Sequence, residues 1–373
     1  MIGVGVLGAG YWGPKHIRNF QELPGARVTM VCDLDESRLA AVRHQHPGIH
    51  TTRAFHQLLS SPDVDAVVVA TPVSTHASLA REALLAGKHV LVEKPIAGSS
   101  GEAEELIRLA KFSSRILMVG HTFLYNPAVR ALRELVQTGE LGQIYYAHAQ
   151  RLNLGLFQLD ANVMWDLAPH DLSILMYVLG TSPVAVGARG SAYVRSGIED
   201  VAQLDVAFPN QVRAMIHVSW LDPNKVRRVT IVGSRKMAVY DDIQTLERVR
   251  VYDKGVEAPP HTDTFGEFQL SYRYGDITIP HLSSIEPLRL QCEHFLECIR
   301  SGASPLSDGE QGLTVVRALE AAQSSLASGG LMTPLAGTDA KLSLQLADSA
   351  VAPEHRNGST PNPEGAGTLQ VPT

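Results

Sequence analysis

Residues 2–13, IGVGVLGAGYWG, run from six mostly apolar positions straight into Gly8, Gly10 and Gly13 at the spacing G-x-G-x-x-G. The apolar run suits a buried strand, and His16, Ile17 and Phe20 then follow at helical spacing. Strand, glycine turn and helix in that order open a dinucleotide-binding α/β unit. Gly8 permits the tight turn, Gly10 lets backbone approach a pyrophosphate, and Gly13 lets helix and strand pack closely. Tyr11 and Trp12 lie within the same loop and are expected to border the cofactor. A glycine pattern alone is weak evidence, so the next strand matters. Residues 27–32 end in Asp33, twenty positions past Gly13, where a carboxylate can accept from the adenosine ribose hydroxyls. That charge repels a 2′-phosphate and favours NAD over NADP, although Arg38 beyond it could accommodate a phosphate.

Further along, residues 66–70 (AVVVA) form a β-branched run of the kind buried on both faces of a parallel sheet. It stops at Thr71 and Pro72, and Ser74, Thr75 and His76 open a helix running to about residue 86. Their hydroxyls and first-turn amides either cap that helix or bind phosphate and ribose oxygens. His76 is expected to be a ribose neighbour or an exposed first-turn residue. Residues 90–95, VLVEKP, put Glu93 and Lys94 at the carboxyl end of an apolar strand, where open α/β sheets bind ligands. Pro95 biases Lys94 toward extended backbone and ends the strand. The alternative is a salt-bridged pair at a strand end.

A chain of 373 residues, 45% hydrophobic and 19% charged, is long enough for two cored domains. Its net charge of −6 comes without a basic run, so nucleic acid is not an expected partner. No apolar run reaches the roughly 18–20 residues a bilayer span needs, and the amino terminus enters a strand at once; a cytoplasmic protein is expected. Cys32, Cys292 and Cys298 lack metal-ligand spacing, so free thiols and no metal are expected.

The segments GAGYWG, CDLD, VATPVSTH, AGKHVLVEKP and MVGHTFLYNP, in this order and spacing, resemble the Gfo/Idh/MocA family, the group of glucose-fructose oxidoreductase, inositol dehydrogenase and related sugar dehydrogenases. The resemblance extends from residue 1 to about residue 335. It implies an amino-terminal Rossmann domain, a carboxyl-terminal α+β domain with a large open sheet, and hydride transfer between a sugar or polyol carbon and a nicotinamide. The expected division is 1–120 for the nucleotide domain, 121–335 for substrate binding and oligomerisation, and 336–373 for a disordered tail rich in Gly, Ser, Thr and Pro.

In the second half, Asn126 and Pro127 suit a helix start at residues 128–138, which leaves His121 and Tyr125 at the interdomain seam as candidate substrate contacts. Residues 143–154 alternate as a strand with Arg151 and Asn153 in step, facing substrate or solvent. In MWDLAPHDLS, Asp166 and His170 are four apart and share a helix face if the helix proper starts near Pro169. A carboxylate beside a histidine orients it and favours its conjugate acid, as a general base needs. An acidic first turn complementing the helix dipole would give the same pattern. Resemblance assigns proton acceptance to His170 and its support, or a substrate contact, to Asp166; the role of Asp171 stays open.

Short strands at 185–193, 200–208, 211–220, 227–233, 236–241 and 247–252 suit an antiparallel sheet, and helices at 288–301 and 310–328 can cover one face of it or return to the nucleotide domain. The other face is left for a homodimer or homotetramer contact. Residues 259–279 receive no role. Lys94, His170 and Asp166 are the expected catalytic group, acting on a sugar. Similarity of GYWGPKHIRNF and WDLAPHDLSIL to nucleotide-sugar dehydrogenases ranks carbon 3 of a nucleotide-linked amino sugar first. A polyol dehydrogenase, a keto-deoxysugar reductase or a silent NAD-binding regulator are the alternatives.

Overall fold

The computed structural model describes residues 1–158, 161–257 and 271–337. The expected tail from residue 338 onward lies outside them, as does most of the unassigned stretch up to residue 270. No helix among the described residues is long and apolar enough to cross a membrane.

Six strands form the first sheet: β1 (Ile2–Leu7), β2 (Ala26–Cys32), β3 (His50–Thr52), β4 (Ala66–Val69), β5 (His89–Val92) and β6 (Leu117–Val119). They lie in the order β3-β2-β1-β4-β5-β6, all parallel. The order reverses between β1 and β4, which places a crevice above their carboxyl ends. Helices α1 (Gly13–Glu22), α2 (Glu36–Gln45), α3 (Phe55–Ser60), α4 (His76–Leu85) and α5 (Ser100–Ser113) cover the two faces. Strand alternation sorts the contacts: Val4, Val6, Val68 and Leu91 meet Ile17 and Phe20 on one side, and Val67, Val69, Val90 and Val92 meet Ala80, Ala83 and Leu106 on the other. Gly13 is required, since a Cβ there would sit 2.0 Å from the carbonyl oxygen of Gly8.

The second half opens with α6 (Pro127–Gln137), capped as expected by Asn126, whose side chain accepts from the amide of Ala128. Strand β7 (Ile144–Leu152) precedes α7 (Val163–Leu179), and β8 (Ala185–Ser191), β9 (Val201–Ala207), β10 (Arg213–Ser219), β11 (Val226–Gly233), β12 (Met237–Asp241), β13 (Val249–Glu257) and β14 (Ser271–Thr278) follow. With β15 (Thr333–Pro334) they form one sheet in the order β14-β13-β12-β11-β7-β10-β9-β8-β15. Pairing is antiparallel except between β10 and β7. On β7 and β10, Ala147, Ala149, Ala214 and Ile216 are buried beneath the helices, whereas Tyr146 and Met215 lie on the outer face, 42% and 49% exposed.

Helices α8 (Pro287–Ser301) and α9 (Gly309–Ala327) cross the expected domain division. Leu288, Cys292, Phe295 and Leu296 of α8 join the core of the first sheet, against Phe20. Helix α9 serves both halves: Leu313 and Val316 pack in the nucleotide half, Val315, Ala318 and Leu319 in the other.

Candidate active site

Above the carboxyl ends of β4 and β5, a cleft of about 1020 Å³ separates the first sheet from the first turns of α7. Trp12, Thr71, Pro72, Ser74, Lys94 and Trp165 are among its walls. Helix α7 starts at Val163, earlier than expected, because Asn162 accepts from the amide of Trp165 and caps it. Pro169 therefore lies inside the helix. It offers no N–H to the carbonyl of Trp165, and the next carbonyl, that of Asp166, accepts from Lys94 Nζ at 2.8 Å.

The Asp166 carboxylate is turned the same way. Its Oδ1 is 3.5 Å from Lys94 Nζ, and Oδ2 accepts from Trp220 Nε1 at 3.0 Å. The expected pairing of Asp166 with His170 is thus corrected: sharing a helix face is not sufficient when a lysine and an indole compete for the same oxygens. His170 instead packs edge-on against Phe123, with ring centroids 5.1 Å apart, and its Nδ1 is buried without a partner among the described residues. Burial, followed by the positive charges of Lys94 and Arg151, holds its pKa well below the usual histidine value. A neutral imidazole results, able to take a proton.

Arg151 is also corrected. Rather than facing substrate, its guanidinium is buried and grips Asp171 through two bonds, Nε to Oδ2 at 3.0 Å and Nη2 to Oδ1 at 2.9 Å. The open role of Asp171 is thereby filled. The same guanidinium lies 4.7 Å from the Phe123 ring centroid, so the pair braces the ring that braces His170. Asn153 remains half-buried beside Trp220, with its amide near the Gly155 backbone.

Four further candidate residues are buried. Tyr125 is fully buried and its hydroxyl pairs with Ser307 Oγ at 3.0 Å, which places it in packing between α8 and β6 instead of in the cleft. His76 is buried, with Nδ1 2.8 Å from the Pro95 carbonyl and Nε2 2.8 Å from the Thr71 carbonyl, so it ties the two cleft loops together. Glu93 is only 6% exposed and its Oε1 lies 2.8 Å from Nε2 of the fully buried His16. Burial alone would raise the Glu93 carboxyl, but the His16 bond and charge, with Lys94 and His76, outweigh it and hold the pKa below the usual range. His121 is buried with neither ring nitrogen partnered among the described residues, and burial pushes its pKa down to about 3.

The dinucleotide end fits its expected occupant. A Cβ on Gly8 would lie 2.5 Å from the Ala70 carbonyl oxygen, whereas one on Gly10 would meet nothing nearer than Arg38 Nη1 at 3.6 Å, so the loop is tight at its base and open at its crown. Asp33 Oδ2 accepts from the Ala9 amide at 2.6 Å and fixes the loop to β2; Arg38 Nη1 is 3.6 Å from the same oxygen. Tyr11 is 75% exposed at the rim, beneath Lys15 Nζ, which lies 3.3 Å from its ring centroid.

Several lining residues had no sequence signal. Asn162 Nδ2 donates to Glu199 Oε2 at 2.8 Å and to Gln323 Oε1 at 3.0 Å, closing the far wall with groups from three distant segments. Trp165 could have been found, being adjacent to Asp166 in the same motif.

A family model described as the oxidoreductase family with NAD-binding Rossmann fold matches residues 2–121, and the GFO/IDH/MocA C-terminal domain matches residues 129–239. The uncharacterized oxidoreductase YdgJ of Escherichia coli is 30% identical over 246 residues, 63% of this chain and 69% of that protein. Myo-inositol 2-dehydrogenase of Thermotoga maritima is 25% identical over 337 residues, covering 87% and 96%. The solved structure of UDP-N-acetylglucosamine 3-dehydrogenase from Acidithiobacillus ferrooxidans superposes with a TM-score of 0.72 at 27% identity, over 88% of this chain and 99% of that one.

Proposed function

The chain belongs to the Gfo/Idh/MocA family of NAD-binding oxidoreductases, and from that we propose that it dehydrogenates one CH–OH carbon of a sugar-like substrate with Lys94 and His170 acting on the same hydroxyl. The observation that carries this reading is the 2.8 Å contact of Lys94 Nζ with the Asp166 carbonyl, which brings an ammonium from one half against the helix that bears a neutral histidine from the other.

His170 takes the hydroxyl proton, and the Lys94 ammonium stabilises the alkoxide as it forms. Asp166 holds the ammonium in place rather than supporting the imidazole. The glycine loop and Asp33 would hold the dinucleotide, with Thr71, Pro72 and Ser74 along its nicotinamide ribose. A nicotinamide held there would supply the hydride acceptor for that carbon. NAD is favoured over NADP by the Asp33 charge, and Arg38 beside it is the group that would have to turn to meet a phosphate.

Similarity to the UDP-N-acetylglucosamine 3-dehydrogenase supports oxidation at carbon 3 of a nucleotide-linked amino sugar. A neutral polyol is the second reading. It is supported by similarity to the myo-inositol dehydrogenase and by the cleft walls, where Asp166, Glu199, Asn162 and Gln323 face one cation, Lys94, among the described residues. Lys94 held against the helix that bears His170 argues against a silent regulator and serves a keto-sugar reductase equally well in reverse. The exposed outer sheet face, with Tyr146, His148, Met215 and His217, supports a homodimer or homotetramer contact.

Stopped-flow reduction of NAD by UDP-N-acetylglucosamine and by myo-inositol separates the two substrate readings. Lys94→Met is expected to lower turnover by roughly 100- to 1000-fold with NAD affinity nearly unchanged. Full activity in that variant would remove Lys94 from the reaction.

A further inference from the structure

The side chain of Asn162 caps α7 and also sets the far wall of the cleft. Its Oδ1 accepts from the Trp165 amide, and Nδ2 faces Glu199, a carboxylate that can only accept, so the amide has one orientation. Both Nδ2 hydrogens are then used, one on Glu199 Oε2 at 2.8 Å and the other on Gln323 Oε1 at 3.0 Å. Each partner keeps its second head atom. Among the described residues Glu199 Oε1 accepts from no donor, the carboxylate is paired with no cation, and Gln323 Nε2 has no acceptor. Both residues line the cleft that holds Lys94. Backbone bonds fix this wall in place. The Glu199 carbonyl accepts from the Val163 amide at 2.9 Å, which ties the start of β9 to the first turn of α7. Asp200, the next residue, is fully buried, and its Oδ2 accepts from the amides of Tyr193 and Val194, each at 2.8 Å. Its carbonyl accepts from the amide of Trp220, whose indole holds Asp166. One frame therefore carries both the Glu199 carboxylate and the carboxylate that holds Lys94.

We propose that Glu199 and Gln323 are specificity-determining residues that read a pair of neighbouring hydroxyls on the substrate, at the end away from the carbon that is oxidised. The inference deepens the dehydrogenase reading and rests on it. Its logic is the matching of donors and acceptors. A hydroxyl both gives and takes a hydrogen bond, so a neighbouring pair satisfies the carboxylate oxygen and the amide N–H together. An ammonium only donates and leaves Gln323 Nε2 without a partner. A carboxylate or phosphate only accepts, and it meets the charge of Glu199. The site therefore takes a sugar or cyclic polyol whose distal hydroxyls are free and uncharged, and turns away the corresponding uronic acid. An acidic side chain beside the first turn of α7 also favours the helix dipole, a purely structural role that needs no ligand.

The test separates that role from recognition by measuring binding, which needs no turnover. Saturation-transfer NMR on the protein with NAD gives dissociation constants for two matched pairs: glucose with glucuronate, and UDP-glucose with UDP-glucuronate. Wild type is expected to favour the neutral member of whichever pair binds. In Glu199→Gln, which still accepts from Asn162, that preference is expected to fall by about 10-fold or more, through weaker binding of the neutral sugar and tighter binding of the uronate. Gln323→Leu, at an exposed position of α9, removes only the donor and is expected to weaken the neutral sugar by about 2- to 10-fold. It keeps the proposal testable if Glu199→Gln does not fold. A wild type that binds uronate as well as the neutral sugar, a Glu199→Gln preference unchanged from wild type, or neutral binding unmoved in Gln323→Leu overturns the proposal and leaves Glu199 a helix-end residue. Those outcomes leave the dehydrogenase reading standing. Wild-type protein that binds neither pair overturns the sugar reading itself, and this inference with it.

Discussion

Asp171→Asn takes the charge from a buried bidentate pair whose other member cannot release its proton. Both bonds are short, 3.0 and 2.9 Å, and the two side chains are 6% and 1% exposed, so water cannot replace the lost carboxylate. Stranding one partner of such a pair costs about 3–5 kcal/mol. In a protein with domains of this size that corresponds to a fall in melting temperature of roughly 6–20 °C. The double variant Arg151→Met with Asp171→Leu strands nothing and is expected within about 1–2 kcal/mol of wild type. Differential scanning calorimetry on the three proteins makes the comparison, with kcat measured alongside. Because Arg151 lies over Phe123 and Phe123 over His170, the single variant should also lose turnover at temperatures where it is still folded. A single variant that melts within about a degree of wild type, or a double variant as unstable as the single one, would refute the reasoning.

Asp33→Ala is expected to weaken NAD by about 10- to 100-fold and NADP by less. The loss of the Ala9 bond affects both dinucleotides, so the ratio of their dissociation constants is the measurement, and an unchanged ratio rejects the ribose contact. Stability should also fall with acid. His76, His121 and His170 have pKa values lowered by burial, so below pH 6.5 each binds protons more readily when unfolded than when folded. Their contribution is therefore intact above pH 6.5 and declines as pH drops, by up to about 1.4 kcal/mol per unit for each group. For His121 the decline continues toward its folded value of about 3. His121→Phe should flatten the fall in melting temperature between pH 6.5 and 4; an identical slope would count against that assignment.

The nucleotide half was legible because its signals are local. Gly8, Gly10 and Gly13 are needed by a turn that closes within a few residues, and the runs at 66–70 and 90–92 carry their double-sided burial in their own composition. The second sheet was legible as alternating strands, although β13 extends past residue 252 because it pairs with β14, which had no assignment. What composition could not show is which distant group wins an atom. Four-residue spacing put Asp166 and His170 on one face, but Lys94 and Trp220 arrive from 72 and 54 positions away to take the carboxylate. Arg151 looked like a surface or substrate group, and Asp171 had no assigned role, until folding brought them together. The amphipathic pattern of α8 likewise says that one side is buried, not against what.

That last point bears on how the protein is made. Leu288, Phe295 and Leu296 complete the hydrophobic interior around the opening strand, yet they are translated after strands β7 to β14 of the second sheet. At about 5–20 residues per second, a ribosome needs roughly 9–36 s to travel from residue 121 to the end of that helix. For that interval the emerging amino-terminal segment holds Phe20 uncovered on one flank, a window in which a chaperone, or a neighbouring nascent chain, competes with the segment still inside the exit tunnel.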